Sequence, residues 1–479
     1  MTVQQLNTKT VLKNSNVAFG TSGARGLVED FTPQVCAAFT HAFLSVMKES
    51  FEFSNIAFAI DNRPSSYNMA KACAYAAEQL GLNVDYYGVV PTPALALKAM
   101  KDNIPCMMIT GSHIPFDRNG LKFYRPDGEI SKADEQAINS SQAQFESIDD
   151  FDSLSELTVL QEAANDYISR YTTMYNNKPL SGKCIGIYEH SSAGRDLYAD
   201  IFEALGAAVI SLERTDTFVP IDTEAVSEED CKKARDWSKE HNLDAIFSTD
   251  GDGDRPLVSD ENGNWLRGDV LGLLCAQALS IDALAVPVSC NTAIEKSGAF
   301  KQTVRTKIGS PYVIAEFESL AEEYASVAGF EANGGFLLGS KVNINGVEIE
   351  ALPTRDAVLP AVSALLAAPN GQLSKLVEQL PQRFTDSDRI KNFATEKSKA
   401  IISTGAKAPE SLVEKLGFNG AVINNVNTTD GLRITFESND IIHLRPSGNA
   451  PELRCYAESS NEVKAKELVV QSLDNVVKL

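Results

Sequence analysis

Apolar, β-rich runs alternate with helical patterns through most of the chain, and this alternation limits the possible folds more than any other feature. The run Asn55–Ile60 is followed by a polar loop, by a helical pattern over 68–80 and by a second apolar run over 84–90. A strand, a helix and a further strand in succession form a βαβ unit, in which the two strands lie parallel. The sequence therefore predicts doubly wound α/β domains with mixed, mostly parallel sheets.

The same alternation starts again near residue 165 and after residue 267. Strands are predicted over 184–188, 207–212, 243–247, 283–288 and 326–329, and helices over 195–205, Glu228–His241, 311–324 and 354–366. We therefore expect three α/β domains in series.

After Pro381 the order of elements changes. A helix over 408–416 precedes four strand-like segments, over 421–426, 431–437, 440–444 and 452–458, and a last helix begins at Glu462. Consecutive strands joined by short turns indicate an antiparallel sheet. The sequence thus predicts four domains, three α/β and one C-terminal α+β, over 1–164, 165–266, 267–385 and 386–479.

Composition limits the class of protein. Hydrophobic residues make up 43% and charged residues 22% of the 479 positions, as in ordinary globular proteins. The sequence has no run of about 18 uncharged apolar residues and no apolar segment of a signal peptide at its start. Its eight cysteines are scattered singly, which suggests neither a zinc site nor a disulfide framework. We expect a cytoplasmic protein with no membrane partner.

The net charge of −21 argues against nucleic acids and anionic membranes as partners. The same charge would repel a phosphorylated substrate, so a site for one needs local cations. The candidates lie in or beside glycine-bearing loops and are Arg25, Lys122, Arg255, Lys307, Arg445 and Arg454.

Three carboxylates occur within five residues after the predicted strand over 243–247. Asp250, Asp252 and Asp254 alternate with glycines, so all three can turn toward one ion, and oxygen ligands suit a hard cation such as Mg²⁺. An EF-hand loop is the alternative, but Arg255 stands at its glycine position and the flanking element is a strand. A solvated acidic turn is the other interpretation of these residues taken alone.

Segment 110–122 carries a hydroxyl, Ser112, on a turn after the apolar run Cys106–Ile109. The glycines of a nucleophile elbow are missing around it, and taken alone Ser112 is better read as a turn or helix-capping serine. His113 is either a base or a polar turn residue. Asn119-Gly120 predicts a turn that returns Lys122 toward Ser112.

Two further loops carry groups suited to a sugar phosphate. Segment 329–335 offers Glu331 and Asn333, a carboxylate and an amide that can bind vicinal hydroxyls. Segment 445–454 offers Arg445 and Arg454 for phosphate, with hydrogen-bond donors at Ser447, Gly448 and Asn449. Each loop could instead be structural. No Walker A sequence occurs, which argues against a nucleotide as phosphoryl donor.

With these four loops in this order, the chain resembles the α-D-phosphohexomutase superfamily from residue 20 to residue 458. The resemblance implies four domains around a central active-site cleft. It also implies an intramolecular phosphotransferase that interconverts hexose 6-phosphate and hexose 1-phosphate through a phosphoserine and a hexose 1,6-bisphosphate. Mannose phosphates are the favoured substrates, glucose phosphates the alternative, and glucosamine phosphates a weaker one.

The resemblance also assigns roles to residues. Ser112 would be the phosphoserine, and the three aspartates would hold Mg²⁺ against its phosphate. Arg25, His113, Lys122 and Arg255 would line the reaction centre, with Lys122 a candidate for proton transfer. Lys307 and Glu331 would bind the sugar, and the phosphate that does not react would be held by Arg445, Ser447, Gly448 and Asn449. Asn333 and Arg454 are further candidates for substrate binding on the character of their side chains.

The chain departs from the superfamily pattern at four positions, Ile114, Asn333, Gly335 and Asn449. Gly335 stands where many members place a histidine, so proton transfer assisted by a histidine there is in doubt. A hexose 1,6-bisphosphate would act as activator, and we expect a monomer or a homodimer. A sugar-phosphate-binding protein without activity and a phosphatase remain the rival hypotheses.

Overall fold

The computed structural model describes residues 4–20, 23–175, 177–344, 346–447 and 451–479, which form two compact units. The first unit contains Met1–Ser280 and Asn333–Ser374, and the second contains Ile281–Ala332 and Lys375–Leu479. No helix in these ranges is both long enough and apolar enough to cross a bilayer.

The N-terminal sheet of the first unit carries segment 110–122 with Ser112, which we call the serine loop. Its strand order is Ala18–Phe19, Ala24–Leu27, Arg118–Arg125, Cys106–Ile109, Asn55–Ile60 and Asn83–Val89, and Gly128–Glu129 pairs with Arg118–Arg125. The last three strands of this order are parallel to one another, and the others pair antiparallel. Polar loops therefore leave the carboxyl ends of parallel strands, where ligands of α/β sheets bind.

Helices beside this sheet bury an apolar core. The Thr32 side chain caps the helix Pro33–Met47, whose first residue is a proline, a residue suited to that position. Its partner Ser66–Gln79 is rich in alanine, which permits close packing between the two helices. The remaining elements of this part are Gln5–Asn7, Thr8–Asn14, Val28–Asp30, Thr92–Asp102, Lys132–Ser140, Gln144–Glu146 and Phe151–Ser153.

The second sheet of the first unit carries the loop over residues 250–255 that contains the three aspartates, which we call the aspartate loop. Its strand order is Ala208–Arg214, Cys184–His190, Ala245–Thr249 and Pro256–Ser259, the first three parallel and the last antiparallel. The same part of the chain contains the helices Glu162–Thr172, Tyr198–Ala204 and Glu228–His241. The three aspartates thus lie on the connection between Ala245–Thr249 and Pro256–Ser259, an antiparallel pair that holds both ends of the loop.

The rest of the first unit contains an antiparallel pair of strands and two packed helices. The strands are Phe336–Leu338 and Leu352–Asp356, and the helices are Gly268–Ala278 and Val358–Ala367. A hairpin, Val342–Ile344 with Val347–Ile349, lies between the two strands in sequence. The short helical segments Pro369–Gly371 and Leu373–Glu378 follow.

The second unit combines parallel and antiparallel strands. Strands Gln302–Thr306, Ala283–Pro287 and Val327–Phe330 are parallel, with helices Ala293–Lys296, Ser310–Ile314 and Phe317–Glu323. Its antiparallel sheet has the order Phe384–Ile390, Leu453–Ser459, Ile441–Pro446, Leu432–Phe436 and Ile423–Asn427. Helices Thr395–Lys407, Pro409–Lys415 and Glu462–Val476 complete it.

Most predicted elements are confirmed. The observed bounds agree with the predicted ones for Asn55–Ile60, Cys106–Ile109 and Glu228–His241. The helix predicted over 354–366 was wrong at its start, because 354–356 belong to a strand and the helix begins at Val358. The helix predicted over 311–324 is two short helices, Ser310–Ile314 and Phe317–Glu323.

The turn predicted at Asn119-Gly120 was wrong, because both residues lie within the strand Arg118–Arg125. The buried Asn119 amide donates to the hydroxyls of Ser65 and Ser66, at 2.8 and 3.0 Å. A Cβ on Gly120 would lie 2.7 Å from the carbonyl oxygen of Ala24. Tertiary partners on both residues therefore outweigh the local preference for a turn.

Candidate active site

Ser112 lies on a tight turn immediately after the strand Cys106–Ile109. Its φ is 56°, in the left-handed region, and its backbone N–H donates to the Thr110 hydroxyl at 2.8 Å. The Thr110 hydroxyl in turn donates to a carboxylate oxygen of Asp61 at 2.7 Å. A strained turn held by side-chain hydrogen bonds fixes the serine hydroxyl in one place, as sites with a functional residue often do.

The three aspartates of the aspartate loop form one buried cluster. Each contributes a carboxylate oxygen, and these oxygens lie within 4.8 Å of one another. Glycines permit the sharp turn of the chain: Gly253 has a φ of 72°, and a Cβ on Gly251 would lie 2.7 Å from the Ser112 carbonyl oxygen. The aspartate loop and the serine loop are therefore in direct contact.

The structure brings Ser112 to the aspartates. The Ser112 hydroxyl donates to Asp250 Oδ2 at 2.5 Å, and both side chains are fully buried. Residues 138 positions apart in sequence thus meet in one site. A hydroxyl beside a cluster of oxygen ligands is the arrangement needed to hold a phosphoserine against a cation.

Lys122 lies between two of the aspartates. Its Nζ donates to Asp252 Oδ2 at 2.5 Å and to Asp254 Oδ2 at 2.6 Å. The Thr92 hydroxyl also donates to Asp252 Oδ2, at 2.6 Å. These bonds use one oxygen of each aspartate and leave the other oxygen free of them.

Arg255 and His113 also lie close to Ser112 and Asp250. The backbone N–H of Arg255 donates to Asp250 Oδ1 at 3.2 Å, and one guanidinium nitrogen lies 3.0 Å from His113 Nδ1. His113 Nδ1 is also 3.4 Å from the Ser112 hydroxyl. Burial and then the neighbouring Arg255 lower the pKa of Arg25 to about 10, which places a further cation in the same charged group.

The pKa values of the three carboxyl groups are shifted in different directions. Burial, followed by the charges of Asp252 and Asp254, raises the pKa of Asp250 well above its ordinary value. Burial and Asp254 oppose ionisation of Asp252 too, but Lys122 brings the pKa of Asp252 below its ordinary value. Burial likewise opposes ionisation of Asp254, yet Arg355, Lys122 and Arg255 hold its pKa far below the usual range.

The cluster suits a hard divalent cation. Asp252 Oδ1 and Asp254 Oδ1 are buried and accept no hydrogen bond within the described residues. Buried polar atoms normally have a partner, so two such carboxylate oxygens in one cluster indicate a place for a cation. All the ligands on offer are oxygens, which Mg²⁺ prefers.

In the second unit, arginines form a row across three strands. Arg445 is directly opposite Arg454 on the neighbouring strand, and Arg454 is directly opposite Arg389 on the next one. Directly opposed residues share a face of a sheet, and like charges there are unfavourable without an anion. Asp430 Oδ2 lies 2.9 Å from Arg445 Nε, whereas the contacts of Glu452 with Arg389 and Arg454 are 3.9 Å long.

A groove of about 980 Å³ opens beside this row. Arg445 and Ser447 line it together with Lys399, Thr428 and Asp430. The Ser447 backbone N–H is held by the carbonyl of Glu452 at 2.9 Å. The predicted site residues Gly448 and Asn449 lie outside the residues that the structure describes.

Lys307 belongs to the same unit. Its ammonium lies 5.7 Å from the centre of the Tyr312 ring, and the backbone N–H of the next residue, Ile308, donates to Asp430 Oδ2 at 3.0 Å. Since Asp430 also pairs with Arg445, one carboxylate connects the loop of Lys307 with the predicted phosphate loop.

Glu331 and Asn333, the predicted sugar-binding residues of segment 329–335, belong to different units. Glu331 is buried directly after the strand Val327–Phe330 of the second unit. Asn333 is buried in the first unit, where its carbonyl accepts from the Thr223 hydroxyl at 3.0 Å and its Oδ1 accepts from the Gly335 N–H at 2.9 Å.

Four domain profiles of one family match the chain in series. They are the α/β/α domains I, II and III of phosphoglucomutase/phosphomannomutase, over residues 16–148, 165–263 and 267–384, and the C-terminal domain, over 381–474. The chain belongs to the phosphoglucomutase/phosphomannomutase family. The predicted superfamily and the predicted four-domain fold class are thereby confirmed.

Relatives within this family are similar along the whole chain. A phosphomannomutase of Salmonella muenchen is 57% identical over 470 residues, covering 98% of both chains. A phosphomannomutase of Sinorhizobium fredii is 42% identical over 464 residues, covering 95% of this chain and 98% of its own. The crystal structure of a phosphoglucomutase/phosphomannomutase family protein from Burkholderia thailandensis shares the fold, with a TM-score of 0.70, 19% identity and coverage of 96% of both chains.

Sequence reasoning missed Arg63, which holds the serine loop. Its guanidinium donates to four backbone carbonyls of that loop, those of Ser112, Ile114, Pro115 and Arg118, at 2.5–2.8 Å. Asp61 pairs with it at 3.1 Å. The acidic and basic residues in the loop that follows Asn55–Ile60 were the available signal.

Three other charged residues of these sites were also missed. Arg355 pairs with Asp254, Asp430 pairs with Arg445, and Arg389 extends the row of arginines. Arg389 lies on the strand Phe384–Ile390, which the sequence analysis did not predict. No motif in the sequence singles out any of the three.

Proposed function

We propose that the chain is a phosphohexomutase that interconverts mannose 6-phosphate and mannose 1-phosphate, a phosphomannomutase. The observation that carries this proposal is the hydrogen bond of 2.5 Å between the Ser112 hydroxyl and Asp250, inside a buried cluster of aspartates and cations. The 57% identity to a phosphomannomutase along 98% of the chain supports the choice of sugar.

Asp250, Asp252 and Asp254 are the proposed ligands of Mg²⁺, together with the phosphate carried by Ser112. When bound, this ion would neutralise negative charge on the transferring phosphoryl group. The two buried oxygens without a hydrogen bond, on Asp252 and Asp254, support that role.

Ser112 is the proposed phosphoryl carrier. An oxygen of the sugar forms a bond to phosphorus while the bond from phosphorus to Ser112 Oγ breaks, and the electron pair of that bond stays on Oγ. The proton of the sugar hydroxyl is passed on so that Oγ becomes a hydroxyl again. Lys122 and His113 are the proposed groups for this transfer, and Arg25 and Arg255 the proposed countercharges of the phosphoryl group.

The product of the first transfer is a hexose 1,6-bisphosphate. Its other phosphate is proposed to return to Ser112 after the sugar has reversed its orientation, so the same bisphosphate would also act as activator. The residues proposed to bind the sugar and the phosphate that does not react are Lys307, Glu331, Asn333, Arg445, Ser447, Gly448, Asn449 and Arg454.

The domain bounds 1–164, 165–266, 267–385 and 386–479 remain part of the proposal. So do a cytoplasmic location and a monomer or homodimer that binds small sugar phosphates. The first three domains would carry the serine, metal and sugar loops in turn, and the fourth the phosphate loop.

Coupled assays on mannose, glucose and glucosamine 1-phosphates, each with a trace of the matching bisphosphate, test the proposed function. The expected result is the highest kcat/KM on mannose 1-phosphate and dependence on Mg²⁺. A higher kcat/KM on glucose 1-phosphate would overturn the choice of mannose. Release of free phosphate faster than isomerisation would instead identify a phosphatase.

A further inference from the structure

Arg355 is a fully buried arginine at the edge of the aspartate cluster. It lies near the end of the strand Leu352–Asp356, and its side chain is 2% exposed. Its Nε and one terminal nitrogen both donate to Asp254 Oδ2, at 3.0 and 2.8 Å. Burying a charge is costly without a partner, and these two bonds give the Arg355 guanidinium a carboxylate partner.

The bonds from Arg355 bring one oxygen of Asp254 to three accepted hydrogen bonds. With Lys122 at 2.6 Å, Asp254 Oδ2 accepts three N–H donors, whereas Oδ1 accepts no hydrogen bond from the described residues. Three donors on one oxygen fix the rotation of the carboxylate. The other oxygen is then held in place for a cation instead of exchanging with the first.

Space for Arg355 comes from Gly335. A Cβ at position 335 would lie 2.5, 2.6 and 2.8 Å from Cδ, Cγ and Cβ of Arg355. Such distances are too short for any side chain, so the aliphatic part of Arg355 occupies the place that a side chain at 335 would fill. The φ of Gly334 is 88°, but Gly335 is not among the described glycines with a positive φ. Space, and not backbone conformation, therefore requires a glycine at 335.

The residue next to Arg355 is anchored independently. The Asp356 carboxylate accepts from the Tyr167 hydroxyl at 2.8 Å, from the Tyr171 hydroxyl, and from the Val358 N–H at 3.1 Å. Both tyrosines are fully buried on the helix Glu162–Thr172. These bonds fix the end of the strand and hence the starting point of the Arg355 side chain.

We infer that Arg355 is a positioning residue for the cation site, that it acts by fixing Asp254, and that Gly335 is required because it makes room for Arg355. The inference rests on the proposed function, in which Asp254 binds a divalent cation. Outer partners of metal ligands commonly change metal affinity by about 10- to 100-fold when they are removed.

Binding of Mn²⁺ to the dephosphorylated enzyme, measured by electron paramagnetic resonance, tests the inference without any turnover. Arg355→Met is expected to weaken Mn²⁺ binding by about 10- to 100-fold, and Arg355→Lys to weaken it less, because a lysine can still donate to Oδ2. Arg305→Met is the control: Arg305 is a partly buried arginine that also makes two bonds to a carboxylate, but its partner is Glu295, so Mn²⁺ binding should not change.

Kinetics give a second measurement. For Arg355→Met, kcat at low Mg²⁺ should fall and should recover in part as Mg²⁺ is raised, while KM for the sugar phosphate changes little. A merely structural role would lower the amount of folded enzyme without producing recovery by Mg²⁺.

The pair of residues is tested by a double-mutant cycle. Gly335→Ala should weaken Mn²⁺ binding in the wild-type background, because its Cβ displaces Arg355, and should have almost no further effect in Arg355→Ala. Gly335→Ala also serves if Arg355→Met fails to fold.

Several outcomes would overturn the inference. They are Mn²⁺ affinity within twofold of wild type in both Arg355→Met and Gly335→Ala, equal effects of Gly335→Ala in the two backgrounds, and a wild-type enzyme that does not bind Mn²⁺. An enzyme that binds Mn²⁺ as expected but does not isomerise any hexose phosphate would overturn the proposed function alone.

Discussion

The cluster around Ser112 in the first unit and the row of arginines in the second are both rich in cations, but they differ in how deeply these charges are buried. Asp250, Asp252 and Asp254 are fully buried beside Ser112, and Lys122 and Arg355 make hydrogen bonds of 2.5–3.0 Å to Asp252 and Asp254. In the second unit, Arg445 lines a groove of about 980 Å³, and the contacts of Arg454 and Arg389 with Glu452 are 3.9 Å long.

The difference fits two tasks. Charges that are buried and paired before the substrate arrives are already oriented, so little reorganisation is needed during phosphoryl transfer. In the second unit, Arg445 pairs with Asp430 at 2.9 Å beside an open groove, and Arg389 and Arg454 are 3.9 Å from Glu452, so this row can bind an incoming anion and release it again. We expect changes at the first region to affect kcat and stability, and changes at the second to affect substrate binding.

The largest expected effect is that of Ser112→Ala. Loss of the hydroxyl removes the proposed phosphoryl carrier, so kcat should fall by about 10,000-fold or more while the melting temperature stays close to that of wild type. Coupled assays and thermal melts measure both quantities. Mutase activity above one hundredth of wild type would contradict the role of Ser112.

The next effect concerns stability. Lys122→Met leaves two buried carboxylates without their shared ammonium, which should destabilise the protein by about 3 kcal/mol. Part of this loss should return with Mg²⁺, because the ion would also compensate the carboxylates. Chemical denaturation with and without Mg²⁺ measures both.

Lys399→Met is the matched control in the groove of the second unit, where Lys399 pairs with Glu396 on the surface of a helix. Its effect on stability should stay within about 0.5 kcal/mol. Equal destabilisation by the two lysine substitutions would contradict the contrast between the two regions.

A smaller effect, on substrate binding, is expected for Arg445→Ala. A charged hydrogen bond contributes about 1.5–3 kcal/mol, so KM should rise by about 10- to 100-fold with little change in kcat. Arg389→Ala, at the far end of the row, should raise KM less. A fall in kcat at constant KM would place Arg445 at the reacting phosphate instead.

The last expected effect is on stability in acid and is absent at neutral pH. Burial lowers the pKa of His443 from 6.5 to about 4, while its Nε2 donates to the Asp430 carbonyl at 2.6 Å. The unfolded chain binds a proton below about pH 6.5 and the folded chain only near pH 4, so stability should fall as the pH decreases between these values.

His443→Gln keeps a donor for the Asp430 carbonyl and removes the titration. Its melting temperature should therefore depend less on pH between about 6.5 and 4 than that of wild type. An unchanged pH dependence would mean that other groups, such as His190 of the first unit, whose pKa burial also lowers to about 4, account for the acid sensitivity.

Much of the fold could be predicted because the chain follows strong local patterns. Periodic apolar runs revealed most strands and helices, and the strand Asn55–Ile60 was predicted with its observed bounds. The strand Leu352–Asp356 was missed because its residues are buried by tertiary packing and show no clear alternation.

The candidate site could be predicted only where chemistry is concentrated in a short segment. Asp250, Asp252 and Asp254 are visible as a group in the sequence, and Ser112 was identified through the loops that accompany it. Arg355 and Asp430 could not be found, since each is a single charged residue whose meaning depends on a distant partner.

By itself, the sequence determined the order of most strands and helices, the grouping of three aspartates in one loop and the family to which the chain belongs, because these depend on local periodicity and on short motifs. Only the tertiary structure decided that the Ser112 hydroxyl donates to Asp250, and that Arg355 occupies the space beside Gly335 and holds Asp254. Such contacts join residues from separate parts of the chain. They form on folding because a charged group buried without a partner costs free energy.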